Sequence, residues 1–384
     1  MKKSPWRILA ALVMMAAAIG VLILIVNNNN AGQRDFVSYW AAGQQLAHGA
    51  NPYDGPAIHA VEQAAGYNLD HPLMMRNPPE ALFLTLPLGF VSPNTGLILW
   101  MLALLASLVA SIRMLWQMHG RPQNSLHLLG YCFAPIMECM MAGQIGIFLL
   151  LGVVLFLYFR SSQPFLAGSA LLLCAAKPHL FLPFGIVLLL WIVFEKQYRI
   201  LAGFCVAVFA SLTLAFCIDM HAWSQYSQMM RTGGALDERV PVLSVYFRLL
   251  VDRNAEWVQF VPLSAACVWA LWYYWTRRSH WSWTDQGLLL LLVSALCRPF
   301  GWFTDEAILL PAVLAGIYRA DERGRSLLPF GFIAGVAMFG VCANILITSP
   351  YYLWTTPAWL AWYLYANRPK NLRETKALGE QPQF

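Results

Sequence analysis

Apolar runs of 13 to 22 residues recur along the chain, separated by short polar breaks, and none alternates with the period of a half-buried strand. In hydrocarbon every backbone polar group must be satisfied within the protein, so runs of this kind predict membrane helices. We place spans near 7–26, 95–117, 126–142, 144–159, 164–176, 179–194, 200–218, 257–276, 285–297, 305–318, 327–348 and 351–366. The expectation is an all-α polytopic membrane protein with about 12 transmembrane helices, forming one integral membrane domain over residues 1–384. The first run lacks a small-x-small cleavage site and reads as a retained span, not a signal peptide. Long polar segments fall at 27–94 and 219–256, and a polar tail at 367–384.

Inside the first polar segment, Phe36, Tyr39, Trp40, Gly43 and Leu46 repeat at helical spacing, which predicts an amphipathic helix lying on the membrane surface. Asn51-Pro52-Tyr53-Asp54-Gly55-Pro56 reads as a turn. The run from Ala81 to Leu88 is too short to span and reads as re-entrant or interfacial.

Composition supports the membrane reading: 59% of residues are hydrophobic and only 11% charged, against roughly 25% charged in soluble domains. An even number of spans puts both termini on one side. That side collects 17 of the 25 Lys and Arg residues, which makes it cytoplasmic in an inner or plasma membrane. The 27–94 and 219–256 segments are then extracytoplasmic, and the work of the protein falls on that face. The cytoplasmic connections are too short for a nucleotide-binding domain and no GxxxxGK[ST] occurs, which argues against an ATP-driven pump. The eight cysteines sit in apolar runs without a CxxC pair and read as small core hydrophobes. His48, His59, His71 and His221 lack metal-ligand spacing and read as loop residues, so neither a metal site nor a cofactor is expected, nor a nucleic-acid partner.

Charged and amide side chains that interrupt apolar runs are costly and usually face a wet cavity or a partner. Asp35 follows the first run, Gln144 and Lys177 break later ones, and Arg298 and Asp305 break another. By parity all lie on the extracytoplasmic side, where they can share one cleft.

These residues occur within a set of short motifs: Asp35-Phe36-x-x-Tyr39-Trp40-x-Ala42-Gly43, Gly49-x-Asn51-Pro52-Tyr53, Pro78-Pro79 followed by Pro87-Leu88, Gly143-Gln144, Lys177-Pro178, and Pro299 through Trp302 to Asp305. In order and spacing the set resembles glycosyltransferase family 87, over most of the chain to about residue 345. The resemblance implies a GT-C-like fold and a polyprenyl-phosphate-linked sugar donor, most often mannose and in some members arabinofuranose. It also implies inversion at the anomeric carbon, an extracytoplasmic glycolipid or glycan acceptor, and a first-loop aspartate as general base, matched here by Asp35. Some members carry adjacent histidines where this chain has Thr304-Asp305.

Each candidate has a plain structural alternative. Asp35 suits a base that takes the acceptor's proton, or an N-cap of the following helix. Arg34 is placed to hold Asp35 or to meet a lipid headgroup. Lys177, Arg298, Arg248 and Arg76 are candidates for the donor phosphate; the alternative is interfacial snorkelling for Lys177 and Arg298 and an ordinary loop charge for Arg76. Gln144 and Asp305 are candidates for sugar hydroxyls, or for a helix break and a helix cap. Tyr39, Trp40 and Trp302 are candidates for stacking on a sugar ring, or members of an aromatic belt. Two other functional classes fit the hydropathy: a transporter or flippase of lipid-linked sugars, and a non-catalytic envelope-assembly subunit. The first predicts internal repeats, which are not visible, and the second gives no reason for Lys177 and Arg298.

Overall fold

The computed structural model describes residues 31–232 and 240–369. The expected span at 7–26 and all but the start of the 367–384 tail lie outside the described residues. Every regular element described is helical. In chain order the main helices begin with α1 (Phe36–Ala47), α2 (Gly55–Ala64), α3 (Pro93–Met118), α4 (Ala134–Ala142), α5 (Gly146–Phe159) and α6 (Pro164–Ala170). They continue as α7 (Leu182–Phe194), α8 (Tyr198–Ile218), α9 (Ala222–Thr232), α10 (Leu243–Val251) and α11 (Val261–Arg277). The last four are α12 (Gln286–Leu296), α13 (Leu310–Glu322), α14 (Leu328–Cys342) and α15 (Thr355–Asn367).

Helices α3 and α8 are each long and apolar enough to cross a bilayer alone. Helix α3 starts cleanly because the Ser92 hydroxyl accepts from the Thr95 amide and Pro93 occupies the first turn, where a missing N–H costs nothing. The other apolar runs form shorter helices. The 14 residues of α5 reach about 21 Å, short of the ~30 Å hydrocarbon layer. The dozen expected spans are therefore not matched helix for helix. Hydropathy marks where the chain is apolar, whereas Pro164, Pro183, Pro311 and Pro329 in first turns mark where each hydrogen-bond ladder starts.

Helix α1 forms where its spacing predicts, but it does not lie on a surface. Phe36 to Gly43 and Leu46 are all buried, so it is a core helix enclosed on nearly every side. Its composition explains the difference: residues Phe36 to Gly43 contain no charge, so no face of that stretch favours water. The short run below it is also packed against protein. Turns at Pro79–Ala81, Leu82–Thr85 and Leu86–Phe90 dock beneath α1, and the Ser211 hydroxyl of α8 donates to the Glu80 carbonyl at 2.7 Å. The approach is closest at Gly43, where a Cβ would lie 2.1 Å from the Thr85 carbonyl oxygen.

In the second half α13 is buried along almost its whole length and packs on α15, whose Trp359 and Trp362 are fully enclosed. At its end Arg319 donates to Asn367 at 2.6 Å and pairs with Asp285.

The Gly43 contact is backbone against backbone, with no flexible group to yield. Gly43→Ala is expected to lower thermal stability by about 3 kcal/mol, at the upper end for overpacking. Gly185→Ala, on α7 where a Cβ meets nothing within 4 Å, is expected to change it by less than about 1 kcal/mol. Melting of the two purified variants in one detergent checks both.

Candidate active site

A cavity of about 130 Å³, with polar groups set in a largely apolar wall, lies where the chain segments around residues 35, 76, 144, 177 and 302 meet. Asp35, Arg76, Gln144, Lys177, Trp302 and Asp305 all line it. Asp35, Arg76, Gln144, Lys177 and Trp302 arrive at breaks between helices, and Asp305 on the first turn of the 3-10 helix Phe303–Leu309. Gly143 ends α4 in the left-handed region, at φ 74°, and a Cβ there would sit 2.8 Å from Phe36 Cβ. Glycine thus lets the α4–α5 connection touch the start of α1. Two bonds hold that connection: Trp100 Nε1 donates to the Gly143 carbonyl at 2.7 Å, and Cys139 Sγ to the Gln144 carbonyl at 2.9 Å.

Gln144 consequently faces Asp35. Its Nε2 donates to Asp35 Oδ2 at 2.7 Å, and its Oε1 accepts from the Tyr39 hydroxyl at 2.7 Å. Asp35 occupies the N-cap position of α1 but makes no capping bond with its side chain. Its carboxylate is turned to the cavity. The enclosing protein removes bulk water and raises its pKa above the ordinary carboxylate value, while the Gln144 bond and the charge of Lys177 pull it back down.

Lys177 precedes Pro178, and a residue before proline is held out of the helical region, so the side chain leaves the helix axis. Asn77 Nδ2 donates to the Ala176 carbonyl at 2.7 Å and fixes this connection. Lys177 Nζ meets Asp305 Oδ1 at 2.6 Å and lies 5.3 Å from the centre of the Trp302 ring. Asp305 Oδ2 in turn accepts from the Trp302 amide at 2.9 Å. The carboxylate is spent on a lysine and a backbone amide, so Asp305 anchors Lys177 and the Trp302 turn.

Other candidates lie elsewhere. Arg298 does not reach the cavity: it is 1% exposed, and its guanidinium donates to the Ala295 carbonyl and to Glu306. Glu306 Oε1 also accepts from Thr355 and Thr356, at 2.8 and 2.6 Å. Trp40 donates to the Val91 carbonyl, away from the cavity. Arg34 donates to the Met141 carbonyl at the rim of the α4 end. Arg248 is buried on α10, whose Ser244 donates to the Cys297 carbonyl.

The cavity also takes residues that the sequence reading passed over. His179 and Phe300 line it and meet edge to face. Asn77 and Tyr226 add polar groups to the wall. The segment 73–77 is moored from behind by Glu62, which accepts from the Leu73 amide at 3.0 Å and whose burial pushes its pKa up to about 7. Among the described residues no three His, Cys, Asp or Glu side chains converge as a metal site. Chemically, the arrangement brings the Asp35 carboxylate, the Lys177 ammonium and aromatic and amide groups onto the walls of one cavity.

An apolar helical body that encloses a cavity lined by carboxylates, an ammonium and an amide suits a membrane protein that handles a polar group. The profile of glycosyltransferase family 87 matches residues 76–299, more than half of the chain. The chain belongs to glycosyltransferase family 87, and it is a membrane glycosyltransferase. The matched stretch holds Arg76, Gln144 and Lys177, while Asp35 and Asp305 fall outside it. Comparisons with curated proteins and with solved structures returned no match.

Arg298 and Glu306 are both sealed from solvent. Removing the cation alone leaves a buried carboxylate unmatched, so Arg298→Met is expected to cost about 3–5 kcal/mol of stability. Pairing it with Glu306→Gln is expected to recover more than half of that loss. A thermal melting cycle over the two single variants and the double variant measures the coupling.

Proposed function

We propose that this glycosyltransferase moves a sugar, mannose in the first instance, from a polyprenyl-phosphate donor to a glycolipid or glycan acceptor on the extracytoplasmic face, with inversion. The observation that carries the reading is the cavity itself, where the unspent carboxylate of Asp35 and the ammonium of Lys177 line the same small space. Asp35 Oδ1 takes the proton of the acceptor hydroxyl. The acceptor oxygen then forms a bond to the anomeric carbon as the bond from that carbon to the phosphate oxygen breaks. The bonding electrons leave with the polyprenyl phosphate, beside Lys177. A base of this kind contributes about 10²- to 10⁴-fold to the rate, and a placed cation stabilises charge that develops only as the bond breaks. Arg76 is the second basic group on the cavity wall, and Trp302 and His179 border the volume left for the sugar. Both termini are cytoplasmic on this reading, the dozen crossings include pairs of short helices, and the fold is GT-C-like.

The test uses purified protein with radiolabelled mannosyl-polyprenyl phosphate and a glycolipid extract as acceptor source. Asp35→Asn is expected to lower transfer by about 10²- to 10⁴-fold with unchanged melting. Lys177→Ala is expected to lose a comparable amount. Because the base must be ionised, wild-type activity is expected to fall as pH drops through the Asp35 pKa, and that acid limb lies above the ordinary carboxylate range. Undiminished transfer by Asp35→Asn would remove the base assignment. Binding of the donor without any turnover would favour a carrier of lipid-linked sugars instead.

A further inference from the structure

We propose that Tyr39 is a positioning residue that locks the Gln144 amide so that only its NH₂ group faces Asp35. The argument starts from what each group can do. An ionised carboxylate only accepts hydrogen bonds, whereas a glutamine amide can present either a donor or an acceptor. Left free to rotate, Gln144 could turn Oε1 toward residue 35, and an acceptor there favours the protonated acid, which is useless as a base.

The structure holds the amide in the other orientation. The Tyr39 hydroxyl donates to Gln144 Oε1 at 2.7 Å, which leaves Nε2 directed at Asp35 Oδ2, also at 2.7 Å. The hydroxyl of Tyr39 is buried against the glutamine, and its donation to Oε1 is the bond that sets which end of the amide faces Asp35. The phenol ring is itself fixed, stacked on Trp100 with centroids 5.3 Å apart and planes 24° apart. Trp100 is tied to the Gly143 carbonyl next to Gln144. Tyr39 is 4% and Gln144 2% exposed, so bulk water has little access to either bond. The two bonds therefore run in one direction, from Tyr39 through Gln144 to Asp35.

Other charged groups act on Asp35 from the surrounding elements. Lys177 across the cavity favours the carboxylate. Glu138 on α4 and the phenol of Tyr67 interact with its charge. Arg76 shares the cavity wall. Lys177 is committed to Asp305, and the side-chain donor seen on the carboxylate is the Gln144 amide.

The consequence is specific to protonation. Tyr39→Phe keeps the ring and its stacking but removes the lock. The test is an infrared titration of the Asp35 carboxyl in full-length protein, with Asp35→Asn supplying the difference band. Tyr39→Phe is expected to raise the titration midpoint by about one pH unit, a tenfold shift toward the acid. The acid limb of transfer is expected to move by the same amount, with activity recovering at higher pH. Gln144→Ala is expected to raise the midpoint at least as far. An unshifted midpoint in Tyr39→Phe overturns the proposal, as does a loss of transfer equal at every pH. The proposal rests on Asp35 being the base, but the infrared midpoint does not. Full activity in Asp35→Asn would sink the base assignment, whereas an inactive Asp35→Asn with an unshifted Tyr39→Phe would sink only the lock.

Discussion

The contact on which the site depends is the ion pair between Lys177 and Asp305. An ammonium placed in an apolar helical body is tolerated only with a partner, and this one is met at 2.6 Å by a carboxylate that is 2% exposed. The pair ties the connection before α7 to the turn before α13, more than a hundred residues apart. Trp302 is held over the lysine by the other oxygen of the same carboxylate. Without the pair, this part of the cavity wall loses both the placement of its ammonium and its shape. The Asp35–Gln144 bond does the same for the nearer wall, joining the start of α1 to the α4–α5 connection.

Polar satisfaction also explains which candidates were visible along the chain. Asp35, Gln144, Lys177 and Asp305 each stand where a polar group interrupts an apolar run, and the cost of such a group points toward a cavity. The same cost can be met in another way, and a linear pattern does not distinguish the two. Arg298 interrupts a run just as Lys177 does, yet its side chain folds back on its own helix end and on Glu306. Gln144 and Asp305 were weighed as sugar contacts, but their bonds go to protein groups whose positions depend on tertiary folding. Asn77 and His179 were overlooked for opposite reasons. Asn77 sits among prolines in what reads as a loop, and His179 falls at the edge of a run taken as a span.

The helical class and the positions of α3 and α8 follow from hydropathy alone, since both are uninterrupted by proline or glycine beyond their first turns except at Gly96 and Gly203. The shorter helices did not follow, because their lengths are set by first-turn prolines and by breaks such as Gly143. Helix α1 shows the remaining gap. Its period identifies a helix, but its neighbours decide whether the apolar face meets lipid or protein. Here the neighbour is the Leu82–Thr85 turn with its flanks, brought within backbone contact of Gly43.

Pairing Lys177 with Asp305 also bears on how a reaction cycle ends. When the sugar leaves a phosphodiester donor, the lipid phosphate gains a negative charge. A lone buried cation would then hold the product more tightly than the substrate, and departure would limit turnover. With Asp305 already on Lys177, the ammonium is shared between a fixed carboxylate and a passing phosphate. The internal carboxylate competes for the same protons as the spent carrier and reclaims them when the carrier leaves. On the proposed function, the Lys177–Asp305 pair keeps the lysine from standing as a lone buried charge both before the donor arrives and after the spent carrier departs.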